Sequence, residues 1–148
     1  MRLVALFAEA GLETDRLEII AERPPLARHF ALYGRIDVAL DPVPYNGTTT
    51  TLEAMWMGVP VPVLADGDRH AARVRQSLLI HAGMPEMVAR GMSDLVGLAA
   101  STMARELSGG RRARRVERRA RLAASPLCDA PGFARRLEAL FLRLRDEA

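Results

Sequence analysis

Asp37-Val-Ala-Leu-Asp-Pro-Val-Pro-Tyr-Asn-Gly-Thr-Thr-Thr-Thr-Leu-Glu-Ala-Met-Trp-Met-Gly-Val-Pro-Val-Pro-Val-Leu64 is the stretch that decides the fold. It reads as strand, turn-rich loop, helix and strand. Ile36 to Leu40 is a short apolar run, and Asp41 to Gly47 collects the Asp, Pro, Asn and Gly residues that make turns. A helix is expected from about Thr49 to Met57, stopped by Gly58, and Val59 to Leu64 forms a second apolar run. Gly47 followed by Thr48, Thr49, Thr50 and Thr51 at the helix start offers backbone amides and hydroxyls to one point in space. The unpaired amides and the helix dipole both favour negative charge there, which suits a phosphate or pyrophosphate. Simple capping needs one threonine, not four. Asn46 and Gly47 shape the turn, with glycine allowing close backbone approach.

Outward from this stretch the pattern repeats. Residues 2–10 have helical spacing, with Leu3, Leu6 and Phe7 on one face and Gly11 as the stop. Leu17 to Ile20 is expected as a strand. Pro24 and Pro25 suit the first turn of a helix reaching Tyr33 and ending at Gly34. Within the 59–64 run, Pro60 fits a strand start, whereas Pro62 requires an edge or irregular position. Residues 65–70 form a second polar loop before a helix from about Ala71 to Ala82. Met87 to Ala89 is a last short strand. From Ser93 the pattern is helical to the end, broken at Gly109-Gly110 and at Ser125 to Gly132. Strands separated by helices predict an α/β layer with a mostly parallel sheet. The expected organisation is a single domain over 1–148, with 93–148 as its helical C-terminal part.

Composition narrows the function classes. With 49% apolar and 26% charged residues the chain is globular, and at 148 residues it can bury one core. Aromatic residues make up only 5%, too few for a single-strand stacking platform. All 21 basic residues are Arg and there is no Lys, so a cationic phosphate contact must come from Arg or His. Cys128 is alone, which excludes an intramolecular disulfide and a Cys-rich metal site. The absence of an apolar run near 18 residues argues against a membrane span, and a cytoplasmic location is the default. Arg111 to Arg121 is read as a solvated helix face over a narrow stripe of Leu107, Val116 and Leu122 rather than as a nucleic-acid site. Trp56 reads as packing and His81 as structural.

Several long motifs in order carry a resemblance. Tyr45-Asn-Gly-Thr-Thr-Thr-Thr-Leu-Glu-Ala-Met-Trp-Met-Gly-Val-Pro60 resembles the signature of bacterial proteins in the O-linked N-acetylglucosamine transferase family, also called SPINDLY-like. Arg23, the run from His29 to Tyr33, and Ile36 to Asp41 are similar in register. So are Asp68 to Leu79, and the tail with Ser125-Pro-Leu127 and Phe133 to Phe141. The resemblance implies the C-terminal, Rossmann-like half of a GT-B glycosyltransferase, which binds a nucleotide-sugar donor such as UDP-N-acetylglucosamine. It also implies transfer to Ser or Thr hydroxyls of a protein acceptor, with no separate cofactor and no metal. Carried over by position, Thr48, Thr49 and Thr50 hold the diphosphate, Glu53 accepts hydrogen bonds from the ribose, and His29 packs against the uracil ring, with Gly47 counted in the nucleotide-sugar site as the turn that admits close backbone approach. His70 and Arg73, at the step into the next helix, line the donor site.

The chain also departs from that family. The resemblance implies a preceding apolar strand, nucleotide-contacting residues including a lysine, an acceptor-binding half and tetratricopeptide repeats. Met1 falls inside the helix that follows this strand, so an N-terminal truncation is expected. Either the start is misassigned, the piece is a remnant, or a partner chain supplies the rest. Arg145 stands where relatives usually carry Trp. The alternatives are thus an inactive nucleotide-binding remnant, a subunit that needs a partner or, less favoured, an Arg-rich interaction module.

Overall fold

The computed structural model describes residues 2–21, 24–40, 47–65 and 70–147. The turn-rich residues 41–46, including Asn46, and residues 66–69 of the second polar loop lie outside the described residues. Seven helices are described: α1 (Arg2–Glu9), α2 (Leu26–Leu32), α3 (Thr49–Trp56), α4 (His70–His81), α5 (Met92–Leu107), α6 (Arg111–Ala123) and α7 (Ala130–Asp146). Two short strands, β1 (Val63–Leu64) and β2 (Val88–Ala89), pair in parallel with Val63 opposite Val88.

The sheet is smaller than the apolar runs suggested. Leu17 to Ile20 forms no strand, and Ile19 and Ile20 are exposed. Segment 36–40 bends at Asp37 and forms no strand; its one described sheet-like bond runs from Ala39 N–H to the Pro60 carbonyl at 3.0 Å. In the 59–64 run only Val63 and Leu64 join the ladder. Pro60 and Pro62 explain this, because neither has an N–H to give and both are fully buried. The run is therefore central and irregular rather than an edge.

The core gathers around that run. Val59, Val61 and Val63 pack with Ala54 and Met55 of α3, Leu79 of α4, Met84 and Tyr33. α3 reverses tightly into the run through Gly58, which sits at φ +72°. Gly58 N–H bonds the Met55 carbonyl and Val59 N–H bonds the Ala54 carbonyl, both at 2.9 Å. A Cβ on Gly58 would clash with the Arg115 carbonyl oxygen and backbone, so α6 presses directly on this turn.

α6 corrects the expectation of a solvated arginine face over an apolar stripe. Leu122 is buried, but Leu107 and Val116 are 69% and 64% exposed. Arg111, Arg114, Arg115, Arg118 and Arg121 instead occupy one face about 120° wide at 100° per residue, and they point into the fold. Arg111 and Arg115 donate to carbonyls following α2, and Arg118 donates to the Gly58 carbonyl after α3. Arg121 donates to the Gly83 carbonyl after α4, and Arg114 to the Arg105 and Glu106 carbonyls at the end of α5. Four helices thus have their carboxyl ends capped by one arginine row, which suits both their unpaired carbonyls and their dipoles. Glu106, 3% exposed, takes Arg114 and Arg118 on Oε1 at 3.1 and 3.0 Å.

Two substitutions test this packing. Gly58→Ala meets both the left-handed backbone and the Arg115 carbonyl, and should cost about 2 kcal/mol or more. Glu106→Ala strands Arg118 beside Arg114 in a buried site and should cost about 3–5 kcal/mol. Urea unfolding of each variant against the parent measures both losses.

Candidate functional site

The site forms where α2 meets the first turns of α3. A row of side chains one turn apart on α2 and its short 3-10 continuation (Tyr33–Arg35) faces Glu53. His29 Nε2 lies 2.8 Å from Glu53 Oε2, and the Tyr33 hydroxyl donates to the same oxygen at 3.2 Å. The hydroxyl also lies 3.4 Å from the Thr50 carbonyl. With a carboxylate as its partner, His29 carries the proton on Nε2. The His29 ring meets those of Phe30 and Tyr33 edge-on, each with centroids 5.5 Å apart, which fixes its plane. Tyr33 is buried, and that burial, followed by the charge of Glu53 and their hydrogen bond, pushes the phenol up to about 12.

The threonine run divides its labour. Thr51 is buried, and its hydroxyl donates back to the Gly47 carbonyl at 2.8 Å, closing the entry to the helix. Thr48 occupies the capping position, yet its side chain makes no capping bond. Thr48, Thr49 and Thr50 are exposed, and none makes a side-chain hydrogen bond among the described residues. Three hydroxyls therefore stand beside the amino end of α3, which retains amides without intrahelical partners.

Two hollows flank α3. The larger, about 350 Å³, is lined by Thr49 and Glu53 together with Phe30, Trp56, Leu122 and Leu127. The smaller, about 170 Å³, opens among Tyr33, Leu40, Thr50 and Val61. Trp56 is 38% exposed with the Arg119 guanidinium 4.5 Å from its ring centroid, so it walls a groove rather than filling the core. His70 and Arg73 are exposed on the first turn of α4 and make no hydrogen bond or ion pair among the described residues. The structure thus brings His29, Glu53 and Thr50 together through Tyr33, and leaves His70 and Arg73 apart from that cluster. His81 is structural: its Nδ1–H donates to the Ser77 carbonyl of its own helix at 2.7 Å.

Sequence reasoning passed over Tyr33 as a participant, although its position four residues after His29 puts both on one helix face. It also passed over the inward arginines, whose 4-3-4 spacing through Arg111, Arg115, Arg118 and Leu122 was the available signal.

Comparison with known proteins agrees with this architecture. A solved structure of an O-GlcNAc transferase mutant from Thermobaculum terrenum superposes with a TM-score of 0.81 at 37% identity, covering 96% of this chain and 26% of that one. The fold is that of a partial α/β unit of a GT-B glycosyltransferase. The probable UDP-N-acetylglucosamine--peptide N-acetylglucosaminyltransferase SPINDLY of Oryza sativa subsp. japonica is 35% identical over 145 residues, 95% of this chain and 15% of its own length. Its counterpart in Arabidopsis thaliana is 34% identical over 140 residues, again 95% and 15%. The family described as Glycosyl transferase family 41 matches residues 1–137, and the chain belongs to it. It spans about 15% of the length of these curated relatives.

The Tyr33 environment gives a direct check. Its phenol is raised from 10.0 to about 12, so the protonated hydroxyl contributes stability that is complete below pH 10 and is lost as the pH rises towards 12. Near pH 11 an unperturbed phenol is about nine-tenths ionised, whereas Tyr33 should remain mostly protonated. Ultraviolet difference absorbance in a Tyr45→Phe background reads this, and Glu53→Gln should bring the midpoint down.

Proposed function

We propose that this chain is the donor-nucleotide half of a glycosyltransferase that moves a sugar, N-acetylglucosamine from UDP, onto Ser or Thr hydroxyls of proteins. The observation that carries this reading is the His29–Glu53–Tyr33 hydrogen-bonded cluster set directly beside three exposed threonine hydroxyls at the start of α3. The names of the relatives support it, since those proteins are described as acting on UDP-N-acetylglucosamine and peptides.

Each residue then has a chemical task. Gly47, Thr48, Thr49 and Thr50 hold the diphosphate with amides and hydroxyls at the positive end of α3. Glu53 spends Oε2 on His29 and Tyr33, and a carboxylate has acceptor capacity beyond these two bonds for ribose hydroxyls. Tyr33 and Glu53 hold the imidazole of His29 for packing against the base. Arg73, free of ion pairs among the described residues, lines the donor site with His70 on the same turn of α4, and its guanidinium offsets charge on the departing diphosphate. The reaction needs no redox cofactor. A second half, in the same polypeptide or a partner chain, supplies the protein-acceptor surface and closes the site against water, because positioning two reactants requires both walls.

Calorimetric titration with UDP tests the donor site. Glu53→Ala should weaken binding about tenfold, the worth of one hydrogen bond to a charged group, and Thr49→Ala by a smaller factor. Unchanged affinity in both variants removes these residues from the site.

A further inference from the structure

Two helices bring the candidate site together, and both end on the same face of α6. α2 and its 3-10 continuation carry His29 and Tyr33, and their closing carbonyls receive Arg111 and Arg115. Arg115 Nη2 donates to Tyr33 O at 3.0 Å and also to Ile36 O. Arg111 Nη2 donates to Gly34 O at 3.0 Å and Ile36 O at 2.8 Å, while its Nε lies 3.1 Å from Asp37 Oδ1. α3 carries Glu53, and Arg118 Nε donates to Gly58 O at its end at 2.8 Å. The Arg115 backbone carbonyl is itself in close approach to Gly58. One turn of α6 therefore touches the ends of both helices, and the separation of those ends decides whether Glu53 can reach His29.

We propose that Arg115, supported by Arg111 and Arg118, is a positioning residue that sets α2 against α3 and so holds the imidazole of His29 on Glu53 for the nucleotide. In this we rest on the donor-site reading of His29 and Glu53. The arginine bonds backbone carbonyls and acts through the backbone of Tyr33. A guanidinium suits this task because both N–H bonds of Nη2 lie in its rigid plane and aim at the two carbonyls in one fixed geometry, which a freely rotating ammonium does not fix. The arrangement also carries a cost that simple stapling does not require. Burial, with the charges of Arg111 and Arg118 adding to it, lowers the pKa of Arg115 from its ordinary value.

The test is nuclear magnetic resonance of the His29 Nε2 nitrogen and the Tyr33 ring carbon bearing the hydroxyl, at neutral pH without ligand, together with UDP affinity. Glu53→Gln defines the signals of the broken cluster. Arg115→Gln should displace both signals towards those values and weaken UDP binding about tenfold, as loss of one charge-assisted hydrogen bond does. Arg115→Lys should displace them less. Asp129→Ala, which removes the side-chain cap of α7 at Gly132 N–H, should lower the melting temperature and leave both signals in place. A folded Arg115→Gln protein with parental His29 and Tyr33 signals overturns the proposal, as does equal displacement in Asp129→Ala. If Arg115→Gln does not fold, Arg115→Lys decides: displaced signals support the proposal and parental signals overturn it. If the parent chain fails to bind UDP, the donor-site reading falls. The ligand-free signals then still judge the contact between α6 and the cluster.

Discussion

The carboxyl ends of four helices converge on the arginines of α6, and the rest of the structure depends on that convergence. Each end presents carbonyls without intrahelical partners and the negative pole of its dipole. Gathered together, such ends repel and need satisfaction. Arg111, Arg114, Arg115, Arg118 and Arg121 supply it from one helix face. A helix with charged residues turned inward and Val116 turned outward is the inverse of the usual surface helix. Its inner face is polar because what it covers is polar.

That arrangement divides the molecule into a structural edge and a chemical edge. α3 and α4 end where the 59–64 run and the turn into β2 begin, so their capped ends lie where the strands start. Their amino ends, with Thr48 and His70, follow segment 36–40 and β1, at the edge where parallel layers generally place ligands. The positive poles of α3 and α4 thus lie at one edge, while the negative poles are neutralised at the other. The local geometry agrees: Thr51 closes the backbone turn with its hydroxyl and leaves the hydroxyls of its three predecessors outside.

Glu106 shows how the arginine row is made tolerable. Arg118 is buried and Arg114 and Arg115 are partly covered, so their mutual repulsion would be costly, and Glu106, 3% exposed between Arg114 and Arg118, offsets part of it. Asp37 does the same for Arg111. The all-arginine composition fits this role, since a guanidinium divides its donors between a carbonyl and a carboxylate at once, as Arg118 does with Gly58 and Glu106.

Local signals in the sequence already contained the helix starts and stops, the Gly58 reversal, the run of threonines at the start of α3 and the family, because each rests on residues adjacent in the chain. The sheet was over-read: Pro60 and Pro62 were visible, but only the packed structure showed that burial without N–H groups leaves two ladder residues in that run. His29 and Glu53 could be named from motifs. Their 2.8 Å contact, and Tyr33 joining them, required residues 24 apart in the chain, on two helices, to meet. The arginines were legible as a run of charge and illegible as caps, because their partners lie up to 82 residues away. Sequence alone determines which groups are able to bond and how they repeat along a helix. Which of them turn inward was decided by tertiary structure, where buried carbonyls must find donors and the nearest donors lie on α6.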